Sequence, residues 1–179
     1  KKISVVGSGT MGTGIAQIAA TYGYEVCLYD SSNEAINNSK YKIEKILNRL
    51  VEKERISQKE KENINSRINF TTDLQDIQES VLVIEAIIEN LNIKQDLFSK
   101  IERIIDKDCI IASNTSSLSI ASIAASCKES GRVIGIHFFN PAPLMPLVEI
   151  IPAVQTTKET LNTAKSIIDS WNKITVIAK

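Results

Sequence analysis

The stretch that decides the fold is residues 2–17, KISVVGSGTMGTGIAQ. It opens with a short apolar run that predicts a β-strand, and the apolar residues after the glycines recur at helical spacing. Between them lies the pattern G-x-G-x-x-G. The first glycine suits a tight turn, the second a close approach of a diphosphate, and the third close packing of helix on strand. A strand before the glycines and a helix after them predict a dinucleotide-binding turn. Its candidate cofactor-binding residues are Gly7, Ser8, Gly9, Thr10, Met11 and Gly12.

A second predicted strand, residues 25–29, ends at Asp30, 18 residues after Gly12. A carboxylate at this place can accept hydrogen bonds from the hydroxyl groups of an adenosine ribose. It also repels the 2′-phosphate that distinguishes NADP from NAD. The alternative is a glycine-rich turn followed by an aspartate that only caps a helix. We interpret the two features together as a site for NAD(H).

Short apolar runs alternate with longer amphipathic segments along the rest of the chain. Such alternation is typical of a parallel sheet that is covered by helices on both faces. The pattern therefore predicts an α/β fold: a doubly wound, Rossmann-type, mostly parallel sheet with its ligand crevice at the carboxyl ends of the strands. The further predicted strands are residues 67–70, 80–86, 109–112, 132–138, 147–151 and 174–177, and the predicted helices include 13–22, 92–105, 120–126 and a last one capped by Thr156.

Two capping boxes predict a pair of helices after the second strand. Ser31 and Glu34 have the Ser-x-x-Glu spacing of such a box, and so do Ser57 and Glu60. The segment is highly charged and carries few large apolar residues on its outer faces. We expect a helical hairpin, about residues 34–66, that projects from the domain.

The overall composition narrows the possible functions. The 179 residues contain 21 Lys and Arg and 21 Asp and Glu, so the net charge is zero, whereas a protein that neutralises many nucleic-acid phosphates should be basic. A membrane-spanning helix needs an apolar run of about 18 residues, and no run in this sequence approaches that length. One histidine and three widely spaced cysteines do not form the ligand cluster that a metal site needs. The apolar surroundings of Cys27 and Cys109 indicate reduced thiols and a cytoplasmic location.

A second irregular region contains the only histidine. All four prolines fall between residues 141 and 152, and His137 comes just before them, at the end of a predicted strand. A lone histidine in an apolar strand is by default a buried residue of the core. Here a proline-stiffened turn, residues 141–146, would bring Glu149 of the next strand back beside His137. Because a carboxylate fixes the imidazole tautomer and stabilises the imidazolium, the two residues are candidates for a general base and its partner.

The polar segment Asn114-Thr115-Ser116-Ser117 follows the strand predicted at 109–112, so it reaches the same crevice. Its alternative role is to cap the helix near residue 120, which suits Ser117. Asn114 and Ser116 then remain as candidates to contact substrate and cofactor.

Four strings, in order, resemble one family: GSGTMGTGIAQ, VIEAIIENLNIK, SNTSSLSI and HFFNPAPLMPLVEI. They are similar to the amino-terminal domain of the L-3-hydroxyacyl-CoA dehydrogenases, most closely to the short-chain, bacterial 3-hydroxybutyryl-CoA dehydrogenases. The resemblance covers essentially the whole chain. It implies oxidation of a 3-hydroxyacyl-CoA to the 3-ketoacyl-CoA with NAD, or the reverse with NADH. A dehydrogenase of free hydroxy acids and a non-catalytic NAD(H)-binding fragment are the alternatives.

The resemblance also implies roles for individual residues. His137 would be the base that takes the C3 hydroxyl proton, and Glu149 would orient it. Ser116 would hydrogen-bond the reacting oxygen of the substrate and also touch the cofactor. Asn114 and Asn140 would lie near the nicotinamide.

Four charged residues complete the set that the resemblance implies. Glu89 and Lys94 would hold the ribose side of the cofactor, together with Asp30 and the glycine turn. Arg49 and Lys53, on the charged hairpin, match positions that meet CoA in the family. From the sequence alone, the alternative for Arg49 and Lys53 is an ordinary solvated helix face.

The chain departs from the family pattern in two ways. Pro146 lies where the family usually has a basic residue, which would change the contacts near the mouth of the site. The family also has a helical carboxyl-terminal domain, which supplies a further active-site Asn and most of a dimer interface, and the sequence stops at Lys179 before the linker to such a domain. We therefore expect residues 1–179 to be the NAD-binding domain of a homodimeric enzyme, without its second domain.

Overall fold

The computed structural model describes residues 1–178, which form one eight-stranded sheet with helices on both faces. The strand order is β3-β2-β1-β4-β5-β6-β7-β8. The strands are β1 (Lys2–Val6), β2 (Glu25–Tyr29), β3 (Ile68–Thr71), β4 (Ser80–Glu85), β5 (Ile110–Ser113), β6 (Val133–Phe138), β7 (Leu147–Pro152) and β8 (Ile174–Ile177). The helices are α1 (Thr10–Thr21), α2 (Asn33–Glu52), α3 (Gln58–Ser66), α4 (Leu91–Glu102), α5 (Ile120–Ala124) and α6 (Lys158–Asp169), with short 3₁₀ turns at Leu74–Ile77 and Ser130–Arg132.

The sheet reverses its winding direction at β1. From β1 the chain adds β2 and β3 on one side, then crosses to add β4, β5 and β6 on the other, all in parallel. Strand β7 is antiparallel to β6 and parallel to β8, so the last two strands run opposite to the first six. The predicted doubly wound, mostly parallel α/β sheet is confirmed. Because a ligand crevice opens where the strand order reverses, the site is expected beyond the carboxyl ends of β1 and β4.

The glycine turn explains why β1 and α1 pack so closely. Gly7 has a φ of +106°, and a Cβ there would lie 2.7 Å from the carbonyl oxygen of Ala86. A Cβ at Gly12 would lie only 1.7 Å from the carbonyl oxygen of Gly7. Helix α1 begins at Thr10, three residues before its predicted start, because the turn itself forms the first residues of the helix.

Three predicted helix caps are wrong by one or two residues. Ser32, not Ser31, caps α2 by accepting from the Ala35 N–H at 3.2 Å. Thr157, not Thr156, caps α6, and Ser119, not Ser117, caps α5. In each case the predicted residue has a polar neighbour close by that reaches the helix better. The box formed by Ser57 and Glu60 at the start of α3 is confirmed, and the other boundaries agree within three residues.

Helices α2 and α3 form the expected hairpin. One buried stripe attaches the hairpin to the domain, and the stripe packs with α1 and β3. The remaining faces of both helices are largely exposed, in keeping with their charge. The stripe consists of Ile36, Ile43, Leu47 and Ile64.

Within residues 1–178, none of the helices has both the length and the apolar character needed to cross a membrane.

Candidate active site

Two cavities open beyond the carboxyl ends of the central strands, and Ile87 lines both. The first cavity, of about 250 Å³, lies beside the glycine turn and is lined by Gly7, Asp30 and residues of α4. The second cavity, of about 300 Å³, contains His137. It brings together seven of the residues that the sequence singled out: Met11, Glu89, Lys94, Asn114, Ser116, His137 and Asn140.

His137 and Glu149 lie directly opposite each other on the antiparallel strands β6 and β7. The Nδ1 atom of His137 lies 2.8 Å from Oε2 of Glu149, and both side chains are mostly buried. The ring of Phe139 packs against the imidazole with 4.7 Å between the ring centroids. The predicted pairing of the two side chains is therefore present. Because Nδ1 is occupied, Nε2 is the nitrogen that is left to exchange a proton with a ligand.

The loop between β6 and β7 is held from two sides. Lys173 is buried, and its Nζ atom donates to the carbonyl oxygens of Ala142 and Met145, both at 2.7 Å. Burial lowers the pKa of Lys173. On the other side, a Cβ at Gly14 of α1 would lie 3.1 Å from Pro143. Pro146 replaces the basic residue that is usual in the family. Its carbonyl oxygen accepts from the Ile174 N–H at 2.8 Å, which connects this loop to β8.

Asn114 connects the ends of two strands. Its Oδ1 atom accepts from the Phe138 N–H at 2.9 Å, which leaves the side-chain NH₂ group as a donor. Ser116, two residues further on, lines the same cavity. Asn114 and Ser116 can therefore present a donor and a hydroxyl group to a ligand beside His137.

Asp30 lines the first cavity and is tied to the glycine turn. Its Oδ2 atom accepts from the backbone N–H of Ser8 at 2.8 Å and from the hydroxyl group of Ser8 at 3.0 Å. Its Oδ1 atom accepts from the N–H of Ser32 at the start of α2. The carboxylate is thus fixed beside the first cavity, and its contact with a ribose stays a prediction.

A buried network below the second cavity includes a residue that the sequence did not single out. Lys94 is 1% exposed and pairs with both Glu85 and Glu89, and Glu85 is fully buried. Burial raises the pKa of Glu89, but hydrogen bonds from Thr115, Lys94 and Ser117 outweigh it and lower that pKa overall. Glu89 is therefore ionised near neutral pH. The available signal for Glu85 was a lone acidic residue inside the apolar run SVLVIEA.

The two candidate CoA contacts lie outside both cavities. Arg49 lines a separate shallow pocket along α2, and Lys53 follows the last turn of that helix with an exposed side chain. Their proposed contact with CoA stays a prediction.

The glycine turn fits a dinucleotide diphosphate. A Cβ at Gly9 would meet no atom within 4 Å, so the start of α1 is open to an approaching anion. Residues 2–179 match the family described as 3-hydroxyacyl-CoA dehydrogenase, NAD binding domain. The chain belongs to this family. NAD is therefore its cofactor, and the fold predicted from the residues is that of an NAD-binding domain.

Several members of the 3-hydroxyacyl-CoA dehydrogenase family are similar over nearly the whole chain. The chain is 43% identical over 175 residues to a 3-hydroxybutyryl-CoA dehydrogenase of Clostridioides difficile, covering 98% of this chain and 62% of the relative. It is 46% identical over 159 residues to a probable 3-hydroxybutyryl-CoA dehydrogenase of Deinococcus radiodurans, covering 89% and 57%. The chain thus spans about 60% of the length of these two relatives.

Solved structures show the same likeness. The structure of (S)-3-hydroxybutyryl-CoA dehydrogenase from Ralstonia eutropha superposes with a TM-score of 0.97 at 37% identity, covering 99% of this chain and 63% of the other. The 3-hydroxybutyryl-CoA dehydrogenase of Escherichia coli K12 also gives a TM-score of 0.97, at 38% identity, covering 99% and 38%. The resemblance read from the four sequence strings is confirmed.

Proposed function

We propose that this chain is the cofactor-binding and proton-transfer part of an NAD-dependent dehydrogenase of (3S)-3-hydroxyacyl-CoA, with a short acyl chain such as 3-hydroxybutyryl. The observation that carries the proposal is the His137–Glu149 pair, with 2.8 Å between Nδ1 and Oε2. His137 lines the second cavity, which also includes Met11 of the glycine turn. The relatives named above are 3-hydroxybutyryl-CoA dehydrogenases, which supports this substrate class.

The chain's own residues divide the chemistry between them. When bound, NAD accepts the hydride from C3 of the substrate or, as NADH, returns it. His137 takes the proton of the C3 hydroxyl group through Nε2 and gives it back in the reverse direction. Glu149 fixes the imidazole through Nδ1 and stabilises the imidazolium. Ser116 donates a hydrogen bond to the reacting oxygen.

The remaining site residues hold the cofactor. The glycine turn, Gly7 to Gly12, receives the diphosphate at the start of α1, because the backbone N–H groups there have no partner within the helix. Asp30 accepts from the adenosine ribose. Glu89 and Lys94 flank the nicotinamide ribose, and Asn114 and Asn140 lie near the nicotinamide.

The substrate and the assembly extend the proposal beyond this domain. CoA would approach Arg49 and Lys53 on α2, where a cationic side chain suits an anionic ligand. The additional length of the relatives would correspond to the helical carboxyl-terminal domain, through which the protein would form a homodimer. Because Cys27, Cys109 and Cys127 are buried free thiols, we place the protein in the reducing cytoplasm.

A comparison of two oxidised substrates tests the substrate class. We expect the full-length protein, with the proposed carboxyl-terminal domain, to oxidise NADH in the presence of acetoacetyl-CoA and to do so far more slowly with acetoacetate, measured by the absorbance of NADH. A faster reaction with acetoacetate would favour a dehydrogenase of free hydroxy acids. Binding of NADH without turnover of either compound would favour a non-catalytic NAD(H)-binding module.

Replacing Asp30 with arginine should shift the preference toward NADPH. The change removes a carboxylate that accepts from the ribose and adds a cation that can pair with a 2′-phosphate. We expect the ratio of kcat/KM for NADPH to that for NADH to rise by roughly 10- to 100-fold, since hydrogen bonds to charged groups contribute about 1.5–3 kcal/mol. The matched control is Asp30→Asn, which keeps the shape and adds no cation. An unchanged ratio in Asp30→Arg would count against the ribose role.

A further inference from the structure

Glu85 is the last residue of β4, and its side chain is fully buried. Its Oε1 atom accepts from Nζ of Lys94 and from the Ile87 N–H at 2.7 Å. Its Oε2 atom accepts from the hydroxyl group of Ser113 at 2.6 Å. All three partners are donors, so both oxygens of Glu85 accept, as the oxygens of a carboxylate do. Glu85 is therefore a buried negative charge that no ligand can touch.

Lys94 provides one positive charge for two carboxylates. Besides its contact with Glu85, its Nζ atom lies 3.2 Å from Oε1 of Glu89 and 3.3 Å from the carbonyl oxygen of Ile87. These three acceptors match the three protons of an ammonium group. Glu89 is ionised as well, as its lowered pKa requires. The group formed by Glu85, Lys94 and Glu89, here called the floor triad, thus carries a net charge of about −1.

The floor triad borders the second cavity, in which a nicotinamide ring would react under the proposed function. Lys94 and Glu89 line the same cavity as His137. Under the proposed function, His137 takes the hydroxyl proton of the carbon that exchanges the hydride, so the ring lies in this cavity. Glu149, which pairs with His137 from the neighbouring strand β7, is a further carboxylate close to this cavity. The oxidised ring is a cation and the reduced ring is neutral.

We propose that Glu85 sets the balance between oxidised and reduced cofactor: it keeps the floor triad negative, so that the cavity favours NAD⁺ relative to NADH. The proposal rests on the proposed function, because it needs the nicotinamide in the cavity of His137. Glu85 acts through the electric field of a buried charge, which falls off slowly with distance in a medium of low dielectric constant. It is a specificity-determining residue, and Lys94 and Glu89 are the side chains that lie between it and the ligand.

The test is the ratio of two dissociation constants in the variant Glu85→Gln. Glutamine keeps the size of the side chain and the acceptor for Lys94, but it removes one negative charge. We expect the Kd for NAD⁺ to rise about tenfold more than the Kd for NADH, which corresponds to about 1.4 kcal/mol. The Kd for NADH is measured from its fluorescence and that for NAD⁺ by calorimetry, at the same pH and salt concentration. An unchanged ratio, or a ratio that moves the other way, would overturn the proposal.

Ser113→Ala is the matched control, because it removes a hydrogen bond to Glu85 without changing the charge. If the network had a purely structural role, its disruption would raise the Kd for NAD⁺ and the Kd for NADH by the same factor. We expect this result for the control Ser113→Ala. If circular dichroism shows Glu85→Gln to be unfolded, Glu89→Gln makes the same charge change at a half-exposed position, and its ratio must move in the same direction. A wild-type protein that binds neither form overturns the proposed function as well. A protein that binds both and reduces acetoacetyl-CoA, but whose ratio does not move, overturns only the role of Glu85.

Discussion

Replacing His137 with alanine in the full-length protein should lower kcat by ~10²–10⁴-fold, the range that positioned general acid–base catalysis contributes. The change removes Nε2, the ring nitrogen that remains once Glu149 occupies Nδ1 at 2.8 Å. The affinity for NADH should stay within about twofold, because the lost interaction is made in the transition state rather than with the cofactor. Steady-state kinetics with acetoacetyl-CoA and NADH fluorescence titrations measure the two quantities.

Two further variants separate a base from a packing residue. Glu149→Gln should lower kcat less than His137→Ala, because it leaves the base in place and removes only the charge that stabilises the imidazolium. The ring centroids of Phe139 and His137 lie 4.7 Å apart, so Phe139→Leu alters the packing on the imidazole but leaves both of its nitrogens in place. This variant should have a kcat near that of the wild type. A rate for His137→Ala close to the wild-type rate would mean that His137 is a residue of the core.

Features that depend on residues adjacent in the sequence could be predicted from the sequence. The glycine turn, the strand before it and the proline-stiffened loop each depend on a few adjacent residues, and the loop length was enough to place Glu149 beside His137. The three wrong caps failed because nearby residues offer the same chemistry. Ser31 and Ser32 are chemically equivalent, and in the structure it is Ser32 that caps α2, with its N–H donating to Asp30.

Glu85 could not be predicted because its partners come from three places in the chain. Lys94 reaches it from α4, Ser113 from β5 and the Ile87 N–H from the turn after β4. An isolated acidic residue in an apolar strand would be too costly to bury without these partners, but the sequence does not show that they converge. The same holds for Lys173, whose two acceptors lie on a loop about 30 residues earlier.

A methyl group added at either of two glycines in the same turn should affect the Tm differently. In Gly12→Ala the new Cβ would lie 1.7 Å from the carbonyl oxygen of Gly7, so β1 and α1 must move apart. We expect Tm to fall by roughly 4–12 °C, as overpacking of about 2–3 kcal/mol does in a domain of this size. In Gly9→Ala the Cβ would meet no atom within 4 Å, so Tm should stay within about 2 °C of the wild type.

Binding of NADH should nevertheless fail in both variants, for different reasons. Gly12→Ala displaces the turn, whereas Gly9→Ala leaves the turn in place and fills the space through which a diphosphate approaches the start of α1. We expect the Kd for NADH to rise at least about 100-fold in Gly12→Ala and at least about tenfold in Gly9→Ala, measured by fluorescence beside thermal unfolding. The combination of a wild-type Tm with lost binding in Gly9→Ala is the informative result. If Gly9→Ala binds NADH as tightly as the wild type, the diphosphate does not lie over Gly9, and the open space there reflects only the shape of the turn.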